Sequence, residues 1–281
     1  MIAARKRKPL RGSVWYIVAG AVAFLFASPL IFGALDSLKS PGEAVRVPPT
    51  LYPHPITFAN YRSLSIGGVS IGHFVLNSCI VSLGTVVATV TIAGLAAYGF
   101  ARFPFYGSRV VFIVMLAAIM MPYQVLLVPV FIVLNKVELT NSLIGVVLVL
   151  TTFQLPFAIF VIQNSVAAVP EDLWEAAAVD GAGTWRTIRI TLPLVGAGLA
   201  TAGLFAFFTA WNEFFTVLIL LSNEGQFTLP VLLATLLTGT FGSINWGVLN
   251  ASVVITALPC LVVYVALQRY YVRGIMAGMG R

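Results

Sequence analysis

The side chains with most chemical capacity in this chain crowd into one stretch, Val169–Leu194, which reads VPEDLWEAAAVDGAGTWRTIRITLPL. Glu171, Asp172, Glu175 and Asp180 place four carboxylates there, and Arg186 and Arg189 follow. Carboxylates at that density can bind a metal or grip a partner. A metal site needs further ligands at set spacing, yet His54 and His73 are isolated and no metal-ligand cluster is present. Phosphate chemistry has no support either. No G-x-x-x-x-G-K-[ST] occurs, and Lys6, Lys8, Lys39 and Lys136 all lie outside glycine-rich loops. The chain is therefore expected not to be an enzyme and to hold no cofactor itself. What remains is a grip.

The local pattern says what presents it. Pro170 suits a first helical turn, where its missing N–H costs nothing. Glu171 and Asp172 then sit at the positive end of the helix dipole, and LWEAAA continues with strong helix formers. Gly181 stops the helix, and Thr184 can cap a second short segment, WRTIRI. The expectation is a helix over 170–182, outside the membrane, with Glu171 and Glu175 one turn apart on one side. The small residues Ala176–Ala178 permit another surface to approach closely. A helix resting on lipid headgroups is the plainer alternative, but its net negative charge opposes that, since anionic headgroups favour Lys and Arg.

The elements around this stretch are apolar. Of 281 residues, 59% are hydrophobic and 9% charged, with mean hydropathy +0.99. A soluble domain carries roughly 25% charged residues, so the bilayer is the solvent here. Six runs are long enough to span it: Val14–Leu35, His73–Phe100, Val110–Leu134, Ser142–Asn164, Ala197–Leu221 and Val248–Leu267. Pro230, Gly239 and Gly242 interrupt 227–246, which reads as an outer loop with a short helix, or a re-entrant segment. The fold class is all-α, one polytopic domain over 1–281. Cys79 and Cys260 both lie in apolar runs and imply no disulfide. The first run is longer than a signal-peptide core and no cleavage pattern follows it, so it is expected to be an uncleaved span.

Net charge +7 could suggest nucleic acid, but no basic face or aromatic platform supports that. The charge follows topology instead. With the N-terminus inside, the inner segments hold Arg5, Lys6, Arg7, Lys8, Arg11, Arg102, Arg109, Arg186, Arg189, Arg269, Arg273 and Arg281. The outer loops hold only Lys39, Arg46, Arg62 and Lys136. Both termini are thus expected in the cytoplasm, as a basic stretch 1–13 and a tail 269–281. The segment 36–72 then faces outward, and its prolines predict an irregular or partly extended course.

Polar groups within spans pair between helices or line a path. The path candidates are Asn77, Gln124, Gln154, Trp211, Asn212 and Glu213. Glu213 is the one clear ionisable group in a span and supports a rival reading, a stand-alone secondary transporter that uses it for ion coupling. No inverted internal repeat accompanies it. Pro122, Pro129 and Pro156 interrupt the third and fourth spans and are candidate kinks.

With those residues in view, the chain resembles a known family. EAAAVDGAGTWRTIRITLP resembles the EAA motif of bacterial ABC-importer permeases, with Glu175, Ala176, Ala177, Gly181, Ile190, Leu192 and Pro193 filling it. Leu173 and the Asp180–Ala182 triplet resemble the sugar-importing branch, as do AAYGFARFPFYG, MMPYQVLLVPVF, AWNEFFTVLIL and the ending QRYYVRGIMAGMG. The resemblance covers nearly the whole chain, and the likeness is to the six-span, maltose-type permease. It implies the type I importer fold in a bacterial plasma (inner) membrane. The helix at 170–182 is then a coupling helix, with Glu171, Leu173, Glu175, Ala176, Ala177, Asp180 and Gly181 docking on an ATPase. Also implied are a homologous permease partner, two ATPase subunits that hold ATP and Mg, an extracytoplasmic solute-binding protein and a sugar-type solute, with a glycerol-phosphate-type solute as the alternative this branch also handles. The tail 272–280 would reach between the ATPase subunits. In the maltose-type pair most sugar contacts come from the other permease chain.

Overall fold

The computed structural model describes residues 10–66, 68–103, 105–238 and 244–278. Most of the expected basic N-terminus and the last three residues of the expected tail lie outside them. In chain order the elements are α1 (Leu10–Ser37), α2 (Pro41–Ala44), α3 (Ala59–Arg62), β1 (Ser65–Ile66), β2 (Val69–Ser70), α4 (Ile71–Arg102), α5 (Ser108–Ala118), α6 (Tyr123–Lys136), α7 (Leu143–Ala167), α8 (Glu171–Val179), α9 (Thr184–Thr191), α10 (Gly196–Trp211), α11 (Phe215–Leu220), a 3-10 turn (Glu224–Gln226), α12 (Leu229–Leu237) and α13 (Trp246–Gly278). Among the described residues the fold is all-α apart from an antiparallel pair of two-residue strands, β1–β2.

Among the described residues, four helices are each long and apolar enough to cross a bilayer: Val14–Ser37 of α1, α4, α7, and Trp246–Gln268 of α13. Two more spans arise only where a bent helix pair counts as one. The chain turns by 102° between α5 and α6, and by 79° between α9 and α10. The apolar run Val110–Leu134 is therefore interrupted rather than continuous. Pro122 stands at that interruption as the residue before α6, whereas Pro129 and Pro156 lie inside unbroken helices. The run Ala197–Leu221 is also interrupted, at residues 212–214. Local side-chain bonds compete with the helix ladder there. Asn212 Nδ2 donates to Phe208 O at 2.8 Å, and Glu213 Oε1 accepts from Thr216 N–H at 2.7 Å. The interrupted stretch 227–246 contains α12, as its composition suggested.

Two compact units are formed, each continuous in space though not in sequence. The first contains α1, the segment to Leu64 and the opening turns of α13. Polar side chains hold its 36–64 segment in shape. Asn60 is buried and donates to the carbonyls of Ser37 and Lys39, both at 2.8 Å. Ser37 shares a hydrogen bond with the Tyr61 hydroxyl. Lys39, also buried, pairs with Asp36 and donates to Thr50 O.

The second unit contains the rest and is built on α4, α7 and α10. Lipid tails give apolar helices no reason to leave them for one another, so such packing relies on close van der Waals fit. Small residues supply it: Ala93, Ala97, Ala158, Ala202 and Ala206 are all buried. Gly198 lets α10 approach α7 closely, since a Cβ there would meet the Ser165 Cβ at 2.8 Å. Larger side chains fill what remains, with Val81, Val146, Leu150 and Val217 in one cluster and Ile159, Ile162, Val166 and Trp174 in another.

Candidate functional site

Helix α8 lies at the end of that second cluster. Pro170 precedes it as the extended N-cap residue, with φ −57° and ψ 140°, one position before its expected place. Glu171 and Asp172 occupy the first turn. At the other end Gly181 has φ +66°, its N–H reaches Ala178 O at 3.1 Å, and Ala182 N–H reaches Ala177 O at 2.9 Å. That crossed pair is a Schellman closure, and its left-handed residue is the reason for a glycine. Helix α9 follows with Gly183 as its N-cap residue, so Thr184 opens the helix and does not cap it.

The two faces of α8 differ. Trp174 and Ala177, three residues apart, point inward and are 6% and 8% exposed. Glu171, Asp172, Glu175, Ala176, Ala178, Val179 and Asp180 are exposed, as is Leu173 at 42%. Ala177, read as part of the docking set, is thus turned into its own chain. An α-helix cannot show Ala176, Ala177 and Ala178 on one face, because successive residues turn by about 100°. Asp180 has no local reward: a carboxylate near helix C-terminal carbonyls costs about 0.3–1 kcal/mol.

What holds α8 was not singled out in the sequence. The guanidinium carbon of Arg102, at the end of α4, lies 4.4 Å from the Trp174 ring centroid. Tyr98 meets the same indole edge-on at 6.0 Å. Arg102 also reaches Glu171 Oε1 at 3.5 Å, with Glu171 well exposed. An exposed pair of this kind contributes about 0–1 kcal/mol, so the buried indole is the stronger anchor. A tryptophan inside an otherwise polar, alanine-rich helix was the available signal.

The structure does not bring all the intramembrane candidates together. Asn77 Nδ2 donates to Gly225 O and Phe227 O, fastening the turn before α12 to α4. Trp211 is 1% exposed, stacks on Phe207, and donates from Nε1 to Thr256 O at 3.0 Å. Asn212 bonds its own preceding turn. These three hold structure together. Gln154 and Glu213 instead line a common cavity of about 150 Å³ beside Tyr123, Phe153 and Thr209. Gln124 follows Tyr123 and is exposed. Among the described residues no group of histidine, cysteine and acidic side chains could hold a metal ion.

Residues 89–276 match the family model for the binding-protein-dependent transport system inner membrane component. The chain belongs to that family. It is a permease subunit of an ABC importer, and a stand-alone ion-coupled transporter is not favoured. The permease is 33% identical over 277 residues to the diacetylchitobiose uptake system permease protein DasC of Streptomyces coelicolor, covering 97% of this chain and 98% of that one. It is 32% identical to NgcG, a second permease named for diacetylchitobiose uptake in the same organism, over 90% of this chain and 83% of that one. The fold matches the crystal structure of a bacterial ABC transporter involved in the import of the acidic polysaccharide alginate. The TM-score is 0.79 at 21% identity, over 96% of this permease and 99% of the other chain.

Proposed function

We propose that this permease forms one half of a translocation path for a sugar or sugar derivative, and that α8 couples it to a separate ATPase. The observation that carries the coupling is the geometry of α8. It presents Glu171, Leu173, Glu175, Ala176 and Asp180 outward while Trp174 anchors it to the end of α4. A helix so held can transmit a displacement of its outer face to a spanning helix. The acidic face suits a basic cleft in the partner. Gly181 ends the helix so that the chain can turn into α9.

The rest of the assembly follows from the family. A homologous permease chain completes the path, two ATPase subunits bind ATP and Mg, and an extracytoplasmic binding protein delivers the solute. The chain itself is not catalytic and carries no cofactor. It resides in the bacterial plasma membrane with both termini cytoplasmic. The sugar cargo is supported by the relatives named for diacetylchitobiose uptake.

Co-purification from native membranes tests the coupling. The wild-type chain is expected to bring an ATPase with it, and Glu175→Arg to lose that ATPase while keeping the second permease. Retention of the ATPase by Glu175→Arg at wild-type yield would rule out the charged face of α8 as the grip.

A further inference from the structure

The third and fifth spans are both interrupted, and the interruptions meet. Tyr123 opens α6 directly after the break from α5, and Glu213 lies in the break between α10 and α11. The Tyr123 hydroxyl donates to both carboxylate oxygens of Glu213, at 3.0 and 3.3 Å. Non-helical backbone is tolerated at membrane depth only where protein covers it or where it lines a wet cavity. Transport proteins repeatedly place their solute contacts at such breaks. Here the breaks border the cavity of about 150 Å³ that Gln154 and Thr209 share.

Glu213 is 4% exposed and caps α11 through Thr216 N–H. Capping alone does not call for a charge, since a serine or asparagine caps as well, and an ionisable side chain within a span is costly. A carboxylate offers about four acceptor positions, and Tyr123 with Thr216 supplies two donors. Acceptor capacity is left over on the cavity side. The lining contains this one acid and no basic side chain. The Tyr123 and Phe153 rings pack at 5.4 Å and give the cavity an aromatic side. Complete small-molecule pockets run to roughly 300–1,000 Å³, so this one suits a single edge of a solute.

We propose that this cavity is a solute contact point in the translocation path. Glu213 there favours polyhydroxylated solutes that are neutral or carry an amino group over those bearing phosphate or carboxylate. The proposal rests on the importer reading above. Solute hydroxyl or ammonium groups donate to Glu213, the Gln154 amide donates and accepts, and the aromatic rings meet the apolar face of a sugar ring. A like charge a few ångströms from Glu213 is disfavoured by about tenfold or more.

Charged thiol reagents test this without knowledge of the cargo. Cys79→Ser and Cys260→Ser remove this chain's own thiols, labelling is read on this chain after the subunits are separated, and Thr209→Cys or Gln154→Cys reports from the cavity wall. The purified complete complex is treated with cationic and with anionic methanethiosulfonates, each rate normalised to that of a free thiol. A cation preference of about tenfold or more is expected, falling to near one in Glu213→Gln. Gln154→Lys is expected to reverse the preference at Thr209→Cys, which keeps the test alive should Glu213→Gln fail to assemble. Equal rates beside Glu213, no labelling from either position, or a preference indifferent to both substitutions each overturn the site. ATP with the binding protein separates the two readings. Labelling rates that ignore ATP count against the importer cycle, while the charge preference judges the cavity by itself.

Discussion

At the scale of residues, the joint between α8 and α4 decides how firmly a load on the outer face of α8 would be passed to a spanning helix. Arg102 covers the Trp174 ring at 4.4 Å and reaches Glu171 at 3.5 Å, but it is partly exposed. A cation–π contact at such a site is worth about 0.5–1 kcal/mol. Removing a buried tryptophan costs about 3 kcal/mol or more. Arg102→Ala is thus expected to lower stability by about 1 kcal/mol and Trp174→Ala by at least twice that, read as thermal midpoints of the purified permease. Equal effects would mean that the indole is not the anchor. The transport assay adds a second reading. If the joint carries the stroke, Trp174→Ala keeps ATP hydrolysis in the complex and loses uptake.

At the scale of elements, apolar run length made the first, second, fourth and sixth spans legible, because each run is a single long helix. The run at Ser142 even shows its start, where the Ser142 hydroxyl accepts from Ile144 N–H at 3.2 Å. The break in the third span was legible at Pro122, a candidate kink that stands at it, whereas the break in the fifth was not. Hydropathy averages over 212–214, where the decisive events are single hydrogen bonds such as Glu213 with Thr216 N–H. Equally hidden was the partnership of Tyr123 with Glu213, 90 residues apart. The capping glycine of α8 was readable because only its backbone conformation mattered. The 36–64 segment shows the reverse case, a proline-rich stretch whose order comes from polar side chains. Glu43 accepts from His54 N–H at 3.0 and 3.1 Å and from the Thr50 hydroxyl at 2.9 Å. The His54 N–H chiefly holds this carboxyl below its ordinary 4.5, helped by Thr50 and the Lys39 charge, with partial burial opposing them. A depressed folded-state value stabilises the folded segment above the ordinary value, and that contribution is lost as pH falls through the lowered one. Hydrogen exchange at the His54 amide is expected to show protection that drops on acidification below 4.5 in the wild type. Glu43→Gln is expected to remove the acid-dependent part of that drop.

At the scale of the whole molecule, orientation decides which surfaces meet which partners. It rests on charge placement alone, since a membrane-spanning helix is equally apolar read from either end. The basic side chains Arg102 and Arg109 flank the link from α4 to α5, and Arg186 and Arg189 lie in α9. Lys39, Arg46 and Arg62 are spread through the 36–64 segment among acids such as Asp36 and Glu43. Lys and Arg near span ends stay preferentially on the cytoplasmic side, which predicts α8 inside and the 36–64 segment outside. Single cysteines in a background free of Cys79 and Cys260 give the measurement. Tyr52→Cys and Ala178→Cys both stand on exposed positions, so accessibility reports sidedness and not burial. A membrane-impermeant maleimide applied to intact spheroplasts is expected to label Tyr52→Cys, and to label Ala178→Cys only after lysis. The opposite pattern would place α8 with the binding protein and the 36–64 segment with the ATPase, and the coupling role of α8 would fall with it. Labelling of both from outside would remove the fixed orientation that any vectorial importer requires.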